Sequence, residues 1–437
     1  MSKQAIQWLY GELPILVTEG VLSADTAERL RQRYGDLDTQ PRRALGLLIC
    51  GVLGAILIGA GIILLFAHNW DQLSRPVRTI LAFTPLLGAQ LLTGWTILRR
   101  AHSAAWRESV STFLFTAIGA TIALVGQTYH IPGDLGDFLL TWILLSLPLI
   151  YLLEASLLAV LVWIGSTFWL SYAQRYGSPT LLFWPLVAAG VPHLWRSWRE
   201  DAASLRTVGL LWVLSLCLSV AVGILSDRFV YHLWVIAYAC FFSLLYGLDV
   251  YGLGTSDSLW RRPLGAVGAS GITLLTVLFT YPQVWKQIHQ YADHTDWPFN
   301  AWTPLEDYVV TSGLLVLALA LIIVLMHRKQ GLQVAYSVIA PLATVSYAVT
   351  LAGTSGRVAV GLFNAYLILL GVLTLRAGLQ QQHLGTVNGG LVLLGIFIIT
   401  RFFDADWSFT VRGIAFILLG TVFLIANWMF KRRGMVA

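Results

Sequence analysis

Apolar runs long enough to cross a bilayer recur along almost the whole chain, separated by short polar stretches. A membrane-crossing helix needs about 20 mostly apolar residues. That criterion predicts spans at Leu45–Ala67, Val77–Leu98, Val110–Gln127, Gly136–Leu153, Ala155–Tyr172, Thr180–Leu194 and Arg206–Leu225. Further spans are expected at Tyr231–Gly247, Leu264–Tyr281, Tyr308–Met326, Leu332–Leu351, Arg357–Leu375, Gly385–Phe402 and Phe409–Phe430. The total is about fourteen. Thr180–Leu194 is the weakest of them, being short and holding Pro185 and Pro192. Without a break at Glu154, Gly136–Tyr172 would form one helix of roughly 55 Å, too long for a bilayer, so a tight hairpin is expected there.

Two stretches depart from this pattern. Residues 1–43 form a polar piece, expected to be a cytoplasmic helical cap on a transmembrane domain of residues 44–437. In it Ala5, Trp8, Leu9 and Leu13 stand at helical spacing. Ser23 is placed to cap a second helix whose first turn holds Asp25 and Glu28, whose apolar face holds Ala27, Leu30 and Tyr34, and which Gly35 ends. Two short helices could suggest a DNA-binding unit, but acids and bases balance, which leaves no footprint for phosphate. The second stretch is the loop 282–307. Val284, Trp285, Ile288, Tyr291 and Ala292 share one helical arc, with Lys286, Gln290 and Asp293 opposite. An amphipathic helix in the outer headgroup plane is expected, with Trp297, Phe299 and Trp302 as interfacial anchors.

Composition agrees with lipid as the solvent. Of 437 residues, 57% are hydrophobic and 11% charged, and the mean hydropathy is +0.72. A soluble domain carries about 25% charge, and a single core stops growing at about 250–300 residues. The net charge of +6 sits at the ends of apolar runs and forms no basic stripe for nucleic acid. Alternating the spans from a cytoplasmic N-terminus gathers Arg42, Arg43, Arg99, Arg100, Arg107, Arg196, Arg199, Arg206, Arg261, Arg262, Arg328, Lys329, Arg376, Lys431, Arg432 and Arg433 inside. Only about half as many basic residues fall outside, so both termini are expected in the cytoplasm. The first apolar run follows a polar segment and reads as a retained anchor. Cys50, Cys217 and Cys240 lie in apolar runs as small hydrophobes.

No Asp, Glu, Lys or His lies near the middle of a predicted span, which disfavours an ion-coupled pump with a midplane carboxylate. A carrier using unwound backbone or uncharged polar groups stays open. Polar groups collect at the expected outer ends: His68-Asn69-Trp70-Asp71, Gln127-Thr128-Tyr129-His130 with Asp134 and Asp137, Arg357 with Asn364, Arg401 to Trp407, and Arg412. If these ends are neighbours, Arg357, Asn364, Arg401 and Arg412 form an anion-binding set, because a planar guanidinium fork suits phosphate or carboxylate. Gln127, Tyr129 and Asp404 would orient the ligand. Each has a plainer role too: an Arg401–Asp404 surface pair, arginines snorkelling to headgroups, Asn364 bonding a neighbouring helix, Gln127 and Tyr129 capping a helix end. Asp404-Ala405-Asp406 fits a divalent-ion pattern only loosely, and His289, Asp293, His294 and Asp296 lack metal-ligand spacing; no cofactor is expected. Gly51, Ala55 and Gly59, and Gly361 with Ala365, are small-xxx-small faces that suit close packing within a bundle or a homo-oligomer.

The order of several short motifs resembles a bacterial family of predicted multi-spanning membrane proteins, the domain of unknown function two-one-five-seven. They are Glu19-Gly20-Val21-Leu22-Ser23 leading to Tyr34 and Gly35, Asn69-Trp70-Asp71, Gly126-Gln127-Thr128-Tyr129 followed by Trp142, and Arg401-Phe402-Phe403-Asp404. The resemblance implies a multi-pass protein of the bacterial cytoplasmic (inner) membrane with no established activity. It also implies a small membrane-anchored partner named for a Gly-Asp-Tyr motif.

The sequence therefore predicts an all-α polytopic bundle that binds or moves an amphipathic, anionic, lipid-like ligand through an outer-leaflet site. The rivals are a membrane transferase with a lipid-linked donor, using Asp71, Asp404 and Asp406, and a non-catalytic scaffold or sensor whose cap binds a partner protein.

Overall fold

In the computed structural model of the chain, the described residues are 3–34, 73–226, 233–252, 259–293, 303–353, 356–404 and isolated positions between 410 and 424. They are helical throughout, with no strand among them. The chain divides into two compact units, Met1–Ile80 and Leu81–Ala437.

The first unit holds α1 (Lys3–Thr18) and α2 (Ala24–Tyr34), which pack on each other. Leu13 is fully buried and Ala27 nearly so. Ser23 caps α2 as expected: its Oγ accepts from the Thr26 amide at 3.2 Å. Such a cap is worth about 1 kcal/mol.

A long helix, α3 (Arg75–Arg99), leads on to α4 (Ala104–Tyr129), α5 (Leu135–Leu153) and α6 (Ser156–Tyr176). Next come two short helices, α7 (Phe183–Ala188) and α8 (Val191–Glu200), then α9 (Leu205–Ser226). One core joins α4 to α9 around Trp163, Trp169, Phe183 and Ile150. The expected hairpin at Glu154 is present. The residue closes α5 in the left-handed region at φ 48°, and α6 starts two residues later.

The remaining helices are α10 (Trp234–Gly252), α11 (Pro263–Phe279), α12 (Pro282–Asp293), α13 (Thr303–His327), α14 (Gly331–Ser337), α15 (Ile339–Leu351), α16 (Arg357–Gln381) and α17 (Leu384–Asp404). Their core centres on Phe279, Trp285, Phe363 and Leu367. Lipid tails are as apolar as leucine, so close approach through small residues matters more than water exclusion. At Gly268 an added Cβ would stand 2.5 Å from the Tyr246 backbone nitrogen, and at Gly390 one would stand 2.4 Å from that of Leu375.

Among the described residues, nine helices are long and apolar enough to cross a membrane, or ten if α11 and α12, bent by 71°, count as one span. The predicted spans Leu45–Ala67 and Phe409–Phe430 lie outside the described residues or are only sparsely described. The segment expected as Thr180–Leu194 is not one continuous helix. It breaks between α7 and α8, where Pro192 removes the amide that would have bonded the Ala188 carbonyl. Leu332–Leu351 is one of the nine: α14 and α15 run on through Val338, whose backbone stays right-handed helical at φ −60° and ψ −16°, although Pro341 offers no amide to the Ser337 carbonyl.

The helix expected in loop 282–307 forms as α12. Its apolar arc does not face headgroups, however: Trp285 and Ile288 are buried. Trp285 stacks on Phe363 at 5.7 Å, and its indole N–H donates to the Phe279 carbonyl at 2.8 Å. The polar arc, with Lys286 and Gln290, is exposed as expected.

Candidate functional site

A cavity of about 1070 Å³ lies between α3, α4 and α5. One wall is aliphatic, from Leu86, Leu114, Ile118, Leu145, Leu149 and Leu152. Gln127, Asp134 and Asp137 line its other end. Along α5 the lining runs from Leu135 to Leu152, about 26 Å at 1.5 Å per residue, or nearly the depth of a hydrocarbon core. Gln90, Thr93, Thr121 and Thr141 add uncharged polar groups on the way.

Local chemistry sets the walls. The Thr121 hydroxyl on α4 donates to the Ala82 carbonyl on α3 at 2.9 Å. Trp142 on α5 donates to the Phe115 carbonyl at 2.7 Å and stacks on that ring at 4.5 Å. Gly119 admits this indole; a Cβ there would stand 2.5 Å from it. At the polar end Asp134 caps α5, its carboxylate accepting from the Asp137 amide at 2.8 Å. Among the described residues, no basic side chain lines the cavity.

A second polar cluster gathers around Glu154. Arg107 from the start of α4 reaches its carboxylate at 2.8 Å, and Arg196 from α8 at 2.5 Å. Arg206 from the start of α9 donates to the Glu154 carbonyl at 2.8 Å, to the Ser156 hydroxyl, and to His193 Nε2 at 3.1 Å. Ser156 Oγ lies 3.1 Å from the same nitrogen. The Glu108 carboxylate accepts from the amides of Ser156 and Leu157, each at 2.8 Å, and so neutralises the N-terminal end of α6. The Arg107 hydrogen bond, with help from the Arg196 charge, holds the Glu154 carboxyl below its usual range. Burial and the Arg206 charge push His193 down to about 4, so its Nε2 is an acceptor at neutral pH. Thus α4, α6 and α9 start, and α5 and α8 end, at one face of the bundle.

A third cluster lies at the α11–α12 corner. Arg401 Nη2 donates to the Thr280 hydroxyl at 3.0 Å and to its carbonyl at 3.3 Å, and its guanidinium lies 5.5 Å from the Tyr281 ring centre. The Gly356 preceding α16 sits against Trp285, with a φ of 68°.

These positions divide the residues expected to act together. Gln127 and Tyr129 are exposed at the end of α4, and Gln127 lines the cavity. Arg357 is exposed at the start of α16. Asn364 bonds its own helix at the Val360 carbonyl, 2.7 Å away. Arg401 serves the α11–α12 corner. Arg412 and the side chain of Asp404 lie outside the described residues, as do Asp71 and Asp406. Among the described residues, no group of three or more His, Cys, Asp or Glu could hold a metal ion.

Several polar residues were not singled out by the sequence reading. Gln90 is an uncharged polar residue inside a span. Glu108 and His193 acquire partners only through folding. Asp249, two residues past the predicted end of its span, has a buried side chain that takes the Arg262 Nε–H at 2.8 Å and the Gly265 amide at 3.1 Å. A lone acid beside basic loops was the available signal for this pair and for Glu154.

Residues 15–159 match the model of a family described as a predicted membrane protein, DUF2157. That stretch contains α2 to α5 and the whole lining of the cavity. No curated protein and no solved structure matches the chain.

Proposed function

We propose that this integral membrane protein holds an amphipathic, lipid-like molecule in the cavity between α3, α4 and α5. One observation carries the reading. The cavity has mostly apolar walls over about the depth of one bilayer and gathers its carboxylates at one end, the shape of a molecule with a headgroup and a long tail. Because that end carries Asp134 and Asp137 and, among the described residues, no base, it favours an uncharged or cationic headgroup over the anion suggested by the arginines. Gln127 is the neutral donor and acceptor placed to orient it.

The Glu154 face is the cytoplasmic one in this reading, and the polar end of the cavity opens to the outer leaflet. Two features support the assignment. Arg107, Arg196 and Arg206 gather at Glu154, and Arg100 and Arg199 lie over Trp95 and Trp195. Tryptophans accompany them: Trp95 meets Trp106 at 5.0 Å, and Trp195 meets Trp198 at 4.9 Å. The tryptophans mark a membrane interface, and the arginine excess is what favours the cytoplasmic one.

Native mass spectrometry of the protein in nanodiscs tests the reading, since a held lipid survives as a stoichiometric adduct. Filling the cavity from Gly126, which lines it and has open space at its Cβ, should remove that adduct.

A further inference from the structure

Uncharged polar side chains continue along the cavity between α3, α4 and α5, past its acidic end. The hydrogen bond from Thr121 to the Ala82 carbonyl sets these two residues level. At 1.5 Å per residue, Gln90 and Thr93 stand about 12 Å and about 17 Å from that level along α3, toward Arg99. On α5, Thr141 follows Asp137 by one turn, about 6 Å. Gln90, Thr93, Thr121 and Thr141 all line the cavity. Thr93 is two residues from Trp95, which meets Trp106, the neighbour of Arg107, at the opposite interface. The polar row therefore runs from the carboxylates through the hydrocarbon depth to the aromatic belt beside Glu154.

Two members of the row have no bond of their own. Among the described residues, the Gln90 amide and the Thr141 hydroxyl have no hydrogen-bond partner, and both residues are exposed. A carboxamide left in hydrocarbon is costly. Thr93 and Thr121 donate to helix carbonyls at 2.8 and 2.9 Å, and their oxygens keep room to accept. A lipid tail offers none of these groups a partner. A polar headgroup, with the water it carries, offers one at each step. Leu145 and Leu152 line the same cavity and are exposed, which leaves room for tails to stay in the bilayer.

We propose that the row is a path on which a lipid headgroup crosses between the leaflets while its tails remain in the hydrocarbon. The proposal rests on the lipid-holding reading of the cavity and adds movement to it. Gln90 is the step in the membrane interior, where one amide both donates and accepts. The carboxylates at the entrance select a headgroup that is uncharged or ends in a cation.

The test uses the full chain in phosphatidylcholine vesicles with a trace of phosphatidylcholine carrying a dithionite-sensitive fluorophore on one tail. Wild type is expected to bring inner-leaflet label to external dithionite faster than protein-free vesicles do. Gln90→Leu combined with Thr141→Val is expected to slow that exchange about tenfold or more at an unchanged melting temperature. Gln90→Asn, which keeps an amide, is expected to stay close to wild type. If the double variant does not fold, Gln90→Leu alone is expected to give the larger part of the loss. An unchanged rate in a folded leucine variant, or wild type no faster than empty vesicles, would overturn the proposal. In the second case a stoichiometric lipid adduct on wild type leaves the cavity as a holding site, and its absence removes the holding reading as well.

Discussion

Arg107 Nη1 lies 2.8 Å from Glu154 Oε2, joining the start of α4 to the turn between α5 and α6, 47 residues later. The same carboxylate takes Arg196 from α8. One acid therefore ties together helices that are distant in sequence. Because Glu154 is more than a third exposed, each pair is screened and contributes modestly. Glu154→Gln is expected to lower stability by about 1 kcal/mol, read as a drop in melting temperature, and Arg196→Gln by less. Loss in Glu154→Gln equal to full unfolding would show that the turn depends on more than these pairs.

The neighbouring imidazole gives a pH signature. His193 titrates near 4 in the folded chain, against 6.5 when unfolded. Its neutral form is the folded form, so its contribution is complete above pH 6.5 and is lost as pH falls from 6.5 to about 4. The full span is worth at most about 3 kcal/mol. Glu154 acts lower down. Its lowered value contributes stability above the ordinary carboxylate range, lost only below it. Melting curves between pH 7 and pH 4.5 should slope downward for wild type and be flatter for His193→Gln, whose amide oxygen keeps the acceptor. Parallel curves would contradict this assignment.

Two glycines make a matched pair. Gly126 in the last turn of α4 has nothing within 4 Å of a would-be Cβ, whereas Gly268 on α11 would drive one to 2.5 Å from the Tyr246 backbone. Gly126→Ala should stabilise by about 0.5–1 kcal/mol through lower unfolded-chain entropy. Gly268→Ala should destabilise by about 1–3 kcal/mol, since backbone atoms cannot move aside cheaply. Comparing the two melting temperatures checks both.

Much of the bundle was legible in the sequence, because apolar length reports directly on membrane crossing. The Glu154 hairpin followed from the same arithmetic, and the Ser23 cap from local hydrogen bonding. Proline at 185 and 192 weakened one predicted span, and the α7–α8 break stands there. Pro341 stands inside a stronger apolar run, and there the span continues past it. The arc of α12 was read correctly but assigned the wrong neighbour, because amphipathicity does not distinguish a headgroup plane from a protein core. The cavity was hidden for a different reason: it depends on which helices adjoin. Gln127 entered the predicted set through its depth, whereas Leu114 and Leu149 carry no sign in sequence of facing a void.

Arg401 separates the two views of the site. Its hydrogen bonds to Thr280 and its place over the Tyr281 ring make it a fixture of the α11–α12 corner. Arg401→Ala is expected to cost about 1–2 kcal/mol of stability, as lost charged hydrogen bonds do. The Arg357→Ala, Arg401→Ala double variant should keep any lipid held between α3, α4 and α5. Loss of lipid from a folded double variant would return the site to the arginines.

The most direct measurement is native mass spectrometry of wild type and Gly126→Trp in nanodiscs of defined lipid composition. The indole would extend into open space within the cavity, so folding should be retained. The account predicts a stoichiometric lipid-like adduct with an uncharged or cationic headgroup on wild type and none on the variant. The same adduct on both proteins, or no specific adduct on wild type, would contradict it.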